Sequence, residues 1–521
     1  MKAERPNRWL LLCGVFAAIL GLKVYLIHRF GTDLPYWDQW AREGDMMIAR
    51  ARDGTLHLAD LFVPHSEHRI VPTLALCLGL EQWSGQWDAR VECVVNAVIH
   101  TAVMVLLVGY VFRAYSRGAA IAAGWLQLAL VLTALDWENT LASFQSQFYF
   151  LIGFSLVAMW GMIDPRGWAA PRWWCGLVCG GMAMISMGSG LICFVPVVVI
   201  AAVRLGSRWA PKLSTKALEA SATQGSRAGW TGERTLSGSG TLKAFRAGPW
   251  VPAAATVAVA AGALLIGWLT RGRAPWDDPL HAKRLSDFLL YFVHCLAWPA
   301  RGWPGLAALV WIPWVYFAIR QFGRYSARQE LLFAAGLWVL LQIAAVSFYR
   351  GADGGYPADR YADVWMVGIV VNLLSWFELQ LVERDLRARW ARPRLALLVV
   401  WLLIIAVGGT FGGLSIWRTL LPSISGRSRV YEENVGLYLR TGDVSRLHPP
   451  HQIPFPDVDW FKRIIDRPSL RAVMPVSVGQ PAIESSLSAA VRHFCGTAIW
   501  LFWGGILLLL GVTALTWRRT E

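Results

Sequence analysis

Four polar stretches carry the side chains that could do chemistry in this 521-residue chain. The first is TDLPYWDQW, residues 32–40, where Asp33 and Asp38 stand among Tyr36, Trp37 and Trp40. A carboxylate beside aromatic rings can act as a general base on a hydroxyl group, and the rings can stack on the C–H faces of a polyol. An Asp in this place can equally be a helix N-cap, contributing about 1 kcal/mol, with the aromatics as membrane-interface anchors. The second stretch is PHSEHR, with His65, Glu67, His68 and Arg69. On a helix, His65 and His68 would share a face and, with Glu67 or Asp38, could hold a divalent metal. Arg69 could pair with a phosphate. The same cluster can also be a plain helix start, its acid favoured by the helix dipole.

The third stretch, DWENTLASFQSQFYF over 136–150, crowds Asp136, Glu138, Asn139, Gln145 and Gln147 into one turn. Such side chains either hydrogen-bond a polyol or cap two helix ends. The fourth, FYRGADGGYPADRYAD over 348–363, presents Arg350, Arg360 and Tyr361. An arginine here can hold a phosphate bidentately and stabilise it as a leaving group, or it can snorkel to lipid head groups. Lys283, Arg284 and Arg301 are weaker candidates of the same kind. Ionisable groups inside apolar segments are few: Lys23 is expected to snorkel outward, Glu92 starts its segment, and His100 should bond a neighbouring helix. The eight cysteines form no CxxC pair and read as buried thiols. There is no Gly-rich phosphate loop, so chemistry driven by ATP or a nucleotide-sugar is not expected.

The composition says what must position these groups. Residues AVILMFWYC make up 55% of the chain and DEKR only 16%, against about 25% charged residues in soluble proteins. That excludes a soluble globular protein, a disordered chain and a secreted disulfide scaffold. Apolar blocks recur near 9–28, 91–112, 119–135, 148–163, 173–187, 190–204, 250–269, 303–319, 331–348, 362–379, 395–416 and 494–516. A spanning helix needs roughly 20 such residues. The pattern predicts an all-α polytopic membrane protein with about 12 transmembrane helices, and an interfacial or re-entrant helix over 286–300. The first block follows Lys2, Arg5 and Arg8 and reads as an uncleaved signal-anchor.

With the N-terminus in the cytoplasm, the inside segments hold 25 of the 49 basic residues but 8 of the 34 acidic ones. This obeys the positive-inside rule and puts both termini in the cytoplasm. The net charge of +15 therefore reports topology and anionic membrane lipids, not a nucleic acid. The expected organisation is a transmembrane module over 1–416, with a first periplasmic loop 29–90 and a Gly- and Ser-rich cytoplasmic linker 205–248. A periplasmic subdomain over 417–493 and a last transmembrane helix with its tail, 494–521, complete it. The first loop should hold surface helices over 38–52, ending at Gly54, and 66–83. In the subdomain, Tyr431, Val435, Tyr438 and Leu439 mark a helix over 429–441, and Asp457 caps another bearing Trp460, Phe461, Ile464 and Ile465 on one face.

TDLPYWDQW, PHSEHR and WENTLASFQSQFYF, taken with this architecture, resemble the GT-C superfamily of polytopic glycosyltransferases. The chain looks like the branch holding protein mannosyltransferase-like and aminoarabinose-transferase-like bacterial enzymes. The resemblance implies a GT-C-like fold in the bacterial inner membrane, facing the periplasm. It implies transfer of a sugar, with inversion, from a polyprenyl-phosphate-linked donor to a periplasmic glycan, lipid or protein acceptor. The acid pair common in the family is replaced here by Asp38 and Gln39. The resemblance therefore implies a lone catalytic Asp38 helped by Glu67. Arg69, Arg360 and Arg350 would hold the donor phosphate. Tyr36, Trp37, Trp40, His65, His68, Glu138, Asn139, Gln145, Gln147 and Tyr361 would line the substrate. A divalent metal at His65 and His68 stays open, as do two rival readings: a lipid-linked-substrate transporter or flippase, and a periplasmic glycan polymerase or ligase.

Overall fold

The computed structural model describes residues 5–209, 251–272, 275–300, 302–322, 325–382, 391–448, 450–478 and 484–517. The expected linker 205–248 falls, past residue 209, outside the described residues, as does Arg301. Among the described residues every regular element is a helix, apart from one isolated bridge between His65 and His68. In a hydrocarbon environment this follows from the backbone, which must satisfy its own hydrogen bonds within each segment.

The principal helices, in chain order, begin with α1 (Arg5–Phe30), α2 (Trp40–Ala49), α3 (Val71–Ser84), α4 (Ala89–Ala114) and α5 (Arg117–Leu132). Then come α6 (Trp137–Leu141), α7 (Ser146–Met162), α8 (Pro171–Met184), α9 (Phe194–Trp209), α10 (Val251–Leu269) and α11 (Leu285–Leu296). The series ends with α12 (Ala307–Gln321), α13 (Ala327–Arg350), α14 (Ala362–Val382), α15 (Ala391–Ser415), α16 (Leu421–Thr441), α17 (Val458–Ile465) and α18 (Ser486–Trp517). Local chemistry sets several ends. Asp88 caps α4 by accepting from the backbone N–H groups of Arg90 and Val91, and Ser116 caps α5 through Ala119. Pro72 opens α3, and Gly85, at φ 73°, closes it.

Eight helical segments among the described residues are long and apolar enough to cross a membrane: Arg8–Phe30, Ala89–Ala114, Gly188–Gly206, Val251–Leu269, Ala327–Arg350, Asp359–Leu379, Leu395–Thr441 and Ser486–Trp517. The chain is thus an all-α, multi-pass membrane protein. The other four predicted blocks are also helical but run only 16, 17, 14 and 15 residues, in α5, α7, α8 and α12. The predicted interfacial segment is α11, a 12-residue helix. First and last helices lie side by side. A Cβ at Gly21 would strike the backbone of Phe502, and one at Gly505 the backbone of Ala18. Missing side chains let these two backbones approach, the usual device between membrane helices.

The late segment departs from expectation in one respect. The helix predicted over 429–441 does not start there. Leu395–Thr441 is one apolar-to-polar helix of 47 residues, interrupted only by a π-helical turn at Ile416–Leu420. At 1.5 Å per residue it is about 70 Å long and carries the late segment out of the apolar layer. There, Val435, Tyr438 and Leu439 of α16 and Phe461, Ile464 and Ile465 of α17 share one hydrophobic core with Trp40, Met47 and Ile48 of the first loop. The first loop and the segment after α15 are therefore packed on one another.

Beneath them the bundle is tied by buried charges. Lys23 does not snorkel: it is 0% exposed, and its Nζ donates to Asp136 Oδ2 at 2.5 Å and to Thr140 Oγ1 at 2.8 Å. Asp136, 113 residues away in sequence, supplies the carboxylate that compensates the buried ammonium. As expected, His100 meets a neighbouring helix, its Nε2 lying 3.2 Å from Asp363 Oδ1 of α14. Breaking the Lys23 pair strands a buried carboxylate. Lys23→Met should cost about 3–5 kcal/mol, read as thermal unfolding in detergent, and Lys23→Met with Asp136→Asn should recover most of that loss.

Candidate functional site

The segment after α1 is pinned before it reaches Asp38. Asp33 is held by Arg90 Nε at 2.5 Å and by Arg492 Nη1 at 2.7 Å, so this carboxylate is fully engaged. Trp37 takes a left-handed backbone conformation, φ 51°, which a bulky residue rarely adopts. Its N–H donates to the Pro454 carbonyl of the late segment at 2.8 Å. Helix begins directly after this strained turn, at Asp38. The helix-cap alternative for Asp38 is thereby excluded: α2 has no side-chain cap, and the Asp38 Oδ2 instead lies 3.2 Å from His65 Nε2.

Asp38 lines a cavity of about 350 Å³ together with Tyr36, Trp37, Glu138, Gln145 and Arg360. Phe30, Leu34 and Ile424 give it an apolar side, while Arg427, Tyr431 and Pro454 bring in the late segment. The Tyr36 and Tyr431 rings stack with centroids 6.3 Å apart. The polar turn 136–145 builds the opposite wall. Glu138 Oε1 is 3.3 Å from Arg360 Nη1, and the Arg360 N–H donates to Glu138 Oε2 at 3.1 Å. Asn139 donates from one amide to both the Arg360 carbonyl and Asp363 Oδ2, each at 2.7 Å. Tyr361 packs edge-on to Phe148 beside Arg360. Asp38, the Glu138–Arg360 pair, the Gln145 amide and the Tyr36, Trp37 and Tyr431 rings thus converge from four distant parts of the chain, while Asn139 and Tyr361 lie outside the lining.

Electrostatics at Asp38 combine opposing effects. Burial raises its pKa, but the His65 hydrogen bond and charge, with the nearby Arg360, outweigh that and leave it lowered. Tyr36 moves the other way, raised mainly by burial and then by Tyr431.

Not every candidate arrives. Trp40 does not stack on a ligand: it is 0% exposed, bonds Pro35 O at 2.8 Å, and packs edge-on to Trp87 and Phe461. It follows Asp38 by two positions on a helix, which turns it to the opposite, core-facing side. His65 and His68 share no helical face. They close a tight turn by mutual backbone hydrogen bonds of 2.7 and 2.9 Å around Ser66 at φ 51°. Their rings consequently diverge, His65 to Asp38 and His68 Nδ1 to the Gly188 N–H at 3.2 Å. Helix α3 begins at Val71, past this turn. Glu67 sits 3.5 Å from Arg350 Nη2, so these two engage each other outside the cavity lining. Arg69 donates to the Phe62 carbonyl at 3.2 Å, and Gln147 donates to Gln145 Oε1 at 3.3 Å.

The potential metal ligands lie deeper than the histidine pair. Among the described residues two buried groups of three place ligand atoms within 4.8 Å of one another: Glu43, Cys77 and Glu92, and His100, Asp136 and Asp363. Sequence reasoning missed Glu43, Asp363 and the contribution of Arg427. Glu43 had a visible signal, since it lies on the apolar face of α2 with Trp40, Met47 and Ile48 at helical spacing. A larger cavity of about 690 Å³ lies at the opposite ends of α1 and α4, lined by Arg8, Trp9, Leu106 and Arg113. No family model, no curated protein and no solved structure matches this chain.

The two tryptophans of the first turn separate core from cavity. Trp40→Ala should lose about 3–5 kcal/mol of stability. Trp37→Ala, half exposed in the cavity, should stay within about 0.5 kcal/mol. Thermal unfolding of both variants in detergent checks this.

Proposed function

We propose that the chain is a glycosyltransferase of the GT-C type, working at the periplasmic face of a bacterial inner membrane through about 12 crossings. It would move a sugar from a polyprenyl-phosphate donor to a glycan, lipid or protein acceptor. The observation that carries this reading is the shared cavity: Asp38, Glu138 and Arg360, far apart in sequence, line one hollow with an apolar side. A lipid-linked donor requires such a hollow, with polar groups for the sugar and phosphate and apolar wall for the chain.

The proposed step uses these groups in order. The Asp38 carboxylate takes the proton of the acceptor hydroxyl. That oxygen attacks the anomeric carbon from the face opposite the phosphate. The carbon–oxygen bond to the phosphate breaks, its electron pair leaves with the phosphate, and the configuration inverts. Arg360, set by Glu138 and Asn139, stabilises the departing charge. His65 orients Asp38 and keeps it ionised. Tyr36 and Trp37 offer faces to the sugar. Glu67, Arg69 and Arg350, which lie away from the lining, have no part in this version of the step.

A specific observation supports a second reading. Transporters keep paired ionisable groups within the membrane, and Lys23–Asp136 and His100–Asp363 are pairs of that kind. A transporter would accumulate lipid-linked substrate in vesicles without forming a covalent product, whereas a transferase forms the product.

In membranes supplied with a labelled polyprenyl-phosphate sugar, Asp38→Asn should lower transfer on the order of 10²–10⁴-fold while folding is unchanged. Full activity in that variant overturns the base assignment. The pH profile is a second check. A base with a lowered pKa stays ionised well into acid, so activity should fall only below the usual carboxylate range. His65→Ala removes a cause of the lowering, so the acid limb should move to higher pH.

A further inference from the structure

The two buried triads differ in charge balance. In the group of His100, Asp136 and Asp363, Lys23 already answers Asp136, and Asn139 donates to Asp363. The group of Glu43, Cys77 and Glu92 has no such answer. Glu43 comes from α2, Cys77 from α3 and Glu92 from the first turn of α4, and all three are buried. Among the described residues no Lys, Arg or His bonds either glutamate. Gln39 Nε2 donates to Glu43 Oε2 at 2.8 Å and lies 3.5 Å from Glu92 Oε2. The indole of Trp87 and the thiol of Cys77 face both carboxyl groups.

Two buried carboxylates without a cation are too costly to leave uncompensated. Two protons would neutralise them, and so would one dication. The oxygens left without partners point to the dication. The Glu43 Oε1 has no hydrogen-bond partner among the described residues, which leaves it a lone pair open to a ligand. A second oxygen is in the same condition. Asn96, one turn from Glu92 on the same face of α4, is 1% exposed and its Oδ1 has no partner. Its amide donates to the Ser143 carbonyl at 2.6 Å, and Ser143 Oγ in turn accepts from Gln39 at 2.5 Å. Both oxygens thus keep lone pairs that a cation would take up.

We propose that Glu43, Cys77 and Glu92 form a divalent transition-metal site, with the Asn96 oxygen as candidate fourth ligand. A thiolate beside two carboxylates selects Zn²⁺ or Co²⁺ over Mg²⁺ or Ca²⁺. Its role is structural. It fastens α2, α3 and α4 together behind Gln39, the residue after Asp38, and it lies outside the cavity lining. It stands whether or not the chain transfers a sugar.

The test uses the full chain, purified in detergent without a histidine tag, stripped with a chelator and then dialysed against Zn²⁺ or Co²⁺. Elemental analysis should find one equivalent, the Co²⁺ form should show a thiolate charge-transfer band, and Zn²⁺ should raise the unfolding temperature. Cys77→Ser should lose the band. Glu43→Gln and Glu92→Gln should each weaken binding at least about tenfold, while His100→Ala and His65→Ala keep it. The wild-type measurements need no variant to fold. Absence of bound metal overturns the site. So does a Glu43→Gln protein that matches the wild type with Zn²⁺ in stability, because the amide mimics a protonated acid and lacks the negative charge that a carboxylate ligand brings to the cation.

Discussion

The site rests on the pair Lys23–Asp136. An ammonium and a carboxylate, both taken out of water, hold α1 against the turn that follows α5. From that turn Asn139 reaches across to the Arg360 carbonyl and to Asp363, and Asp363 meets His100 of α4. Tyr149, whose hydroxyl donates to the Asn139 carbonyl, stacks on the His100 ring at 4.5 Å. Five segments, α1, α4, residues 136–141, α7 and the start of α14, are thus tied together beside the cavity. In a low-dielectric interior such groups cannot wander, since any rearrangement exposes an unpaired charge to hydrocarbon.

Above this layer the organising force changes to apolar burial. Trp40 packs edge-on to Trp87 and Phe461, with centroids 5.2 and 4.8 Å away. Those contacts join residues from opposite ends of the chain. They bring Tyr431 over Tyr36 and Pro454 onto the Trp37 N–H. The cavity therefore has a polar floor set by ion pairs and a roof set by packing. Strain at Trp37 and Ser66 is carried by both.

Much of the architecture was legible. Apolar runs near membrane thickness marked the spans, and a helix is the only open-chain answer to unsatisfied backbone in lipid. Asp457 capping α17, with Phe461, Ile464 and Ile465 inside, followed from local rules, but Trp460, expected on the same face, is exposed because it sits about 100° round the helix from Phe461. Gly54 at φ 70° ended the first-loop helix as expected, although that helix is π-wound over Trp40–Ala49. Tyr36, Trp37, Asp38, Glu138, Gln145 and Arg360 were chosen for type and spacing and line one cavity. The failures share a cause. Sequence proximity groups Trp40 with Tyr36, Trp37 and Asp38, yet helical geometry turns it to the other side. Helical spacing would put His65 and His68 on one face, but the chain turns back there. Local sequence leaves Lys23 only the option of snorkelling, because its partner lies 113 residues away.

By itself, then, the sequence determined the class of element, the multi-pass character and the identity of the polar groups at helix ends. These depend on periodicity and solvent transfer, which act over a few residues. Only the tertiary structure decided which polar groups face one another. Whether Asp33 or Asp38 stays available turns on Arg90 and Arg492. Whether Glu43 meets a cation or another acid turns on where α4 is placed. Electrostatic pairing falls off within a few ångströms, so it is settled by distances in space, and no spacing along the chain encodes them.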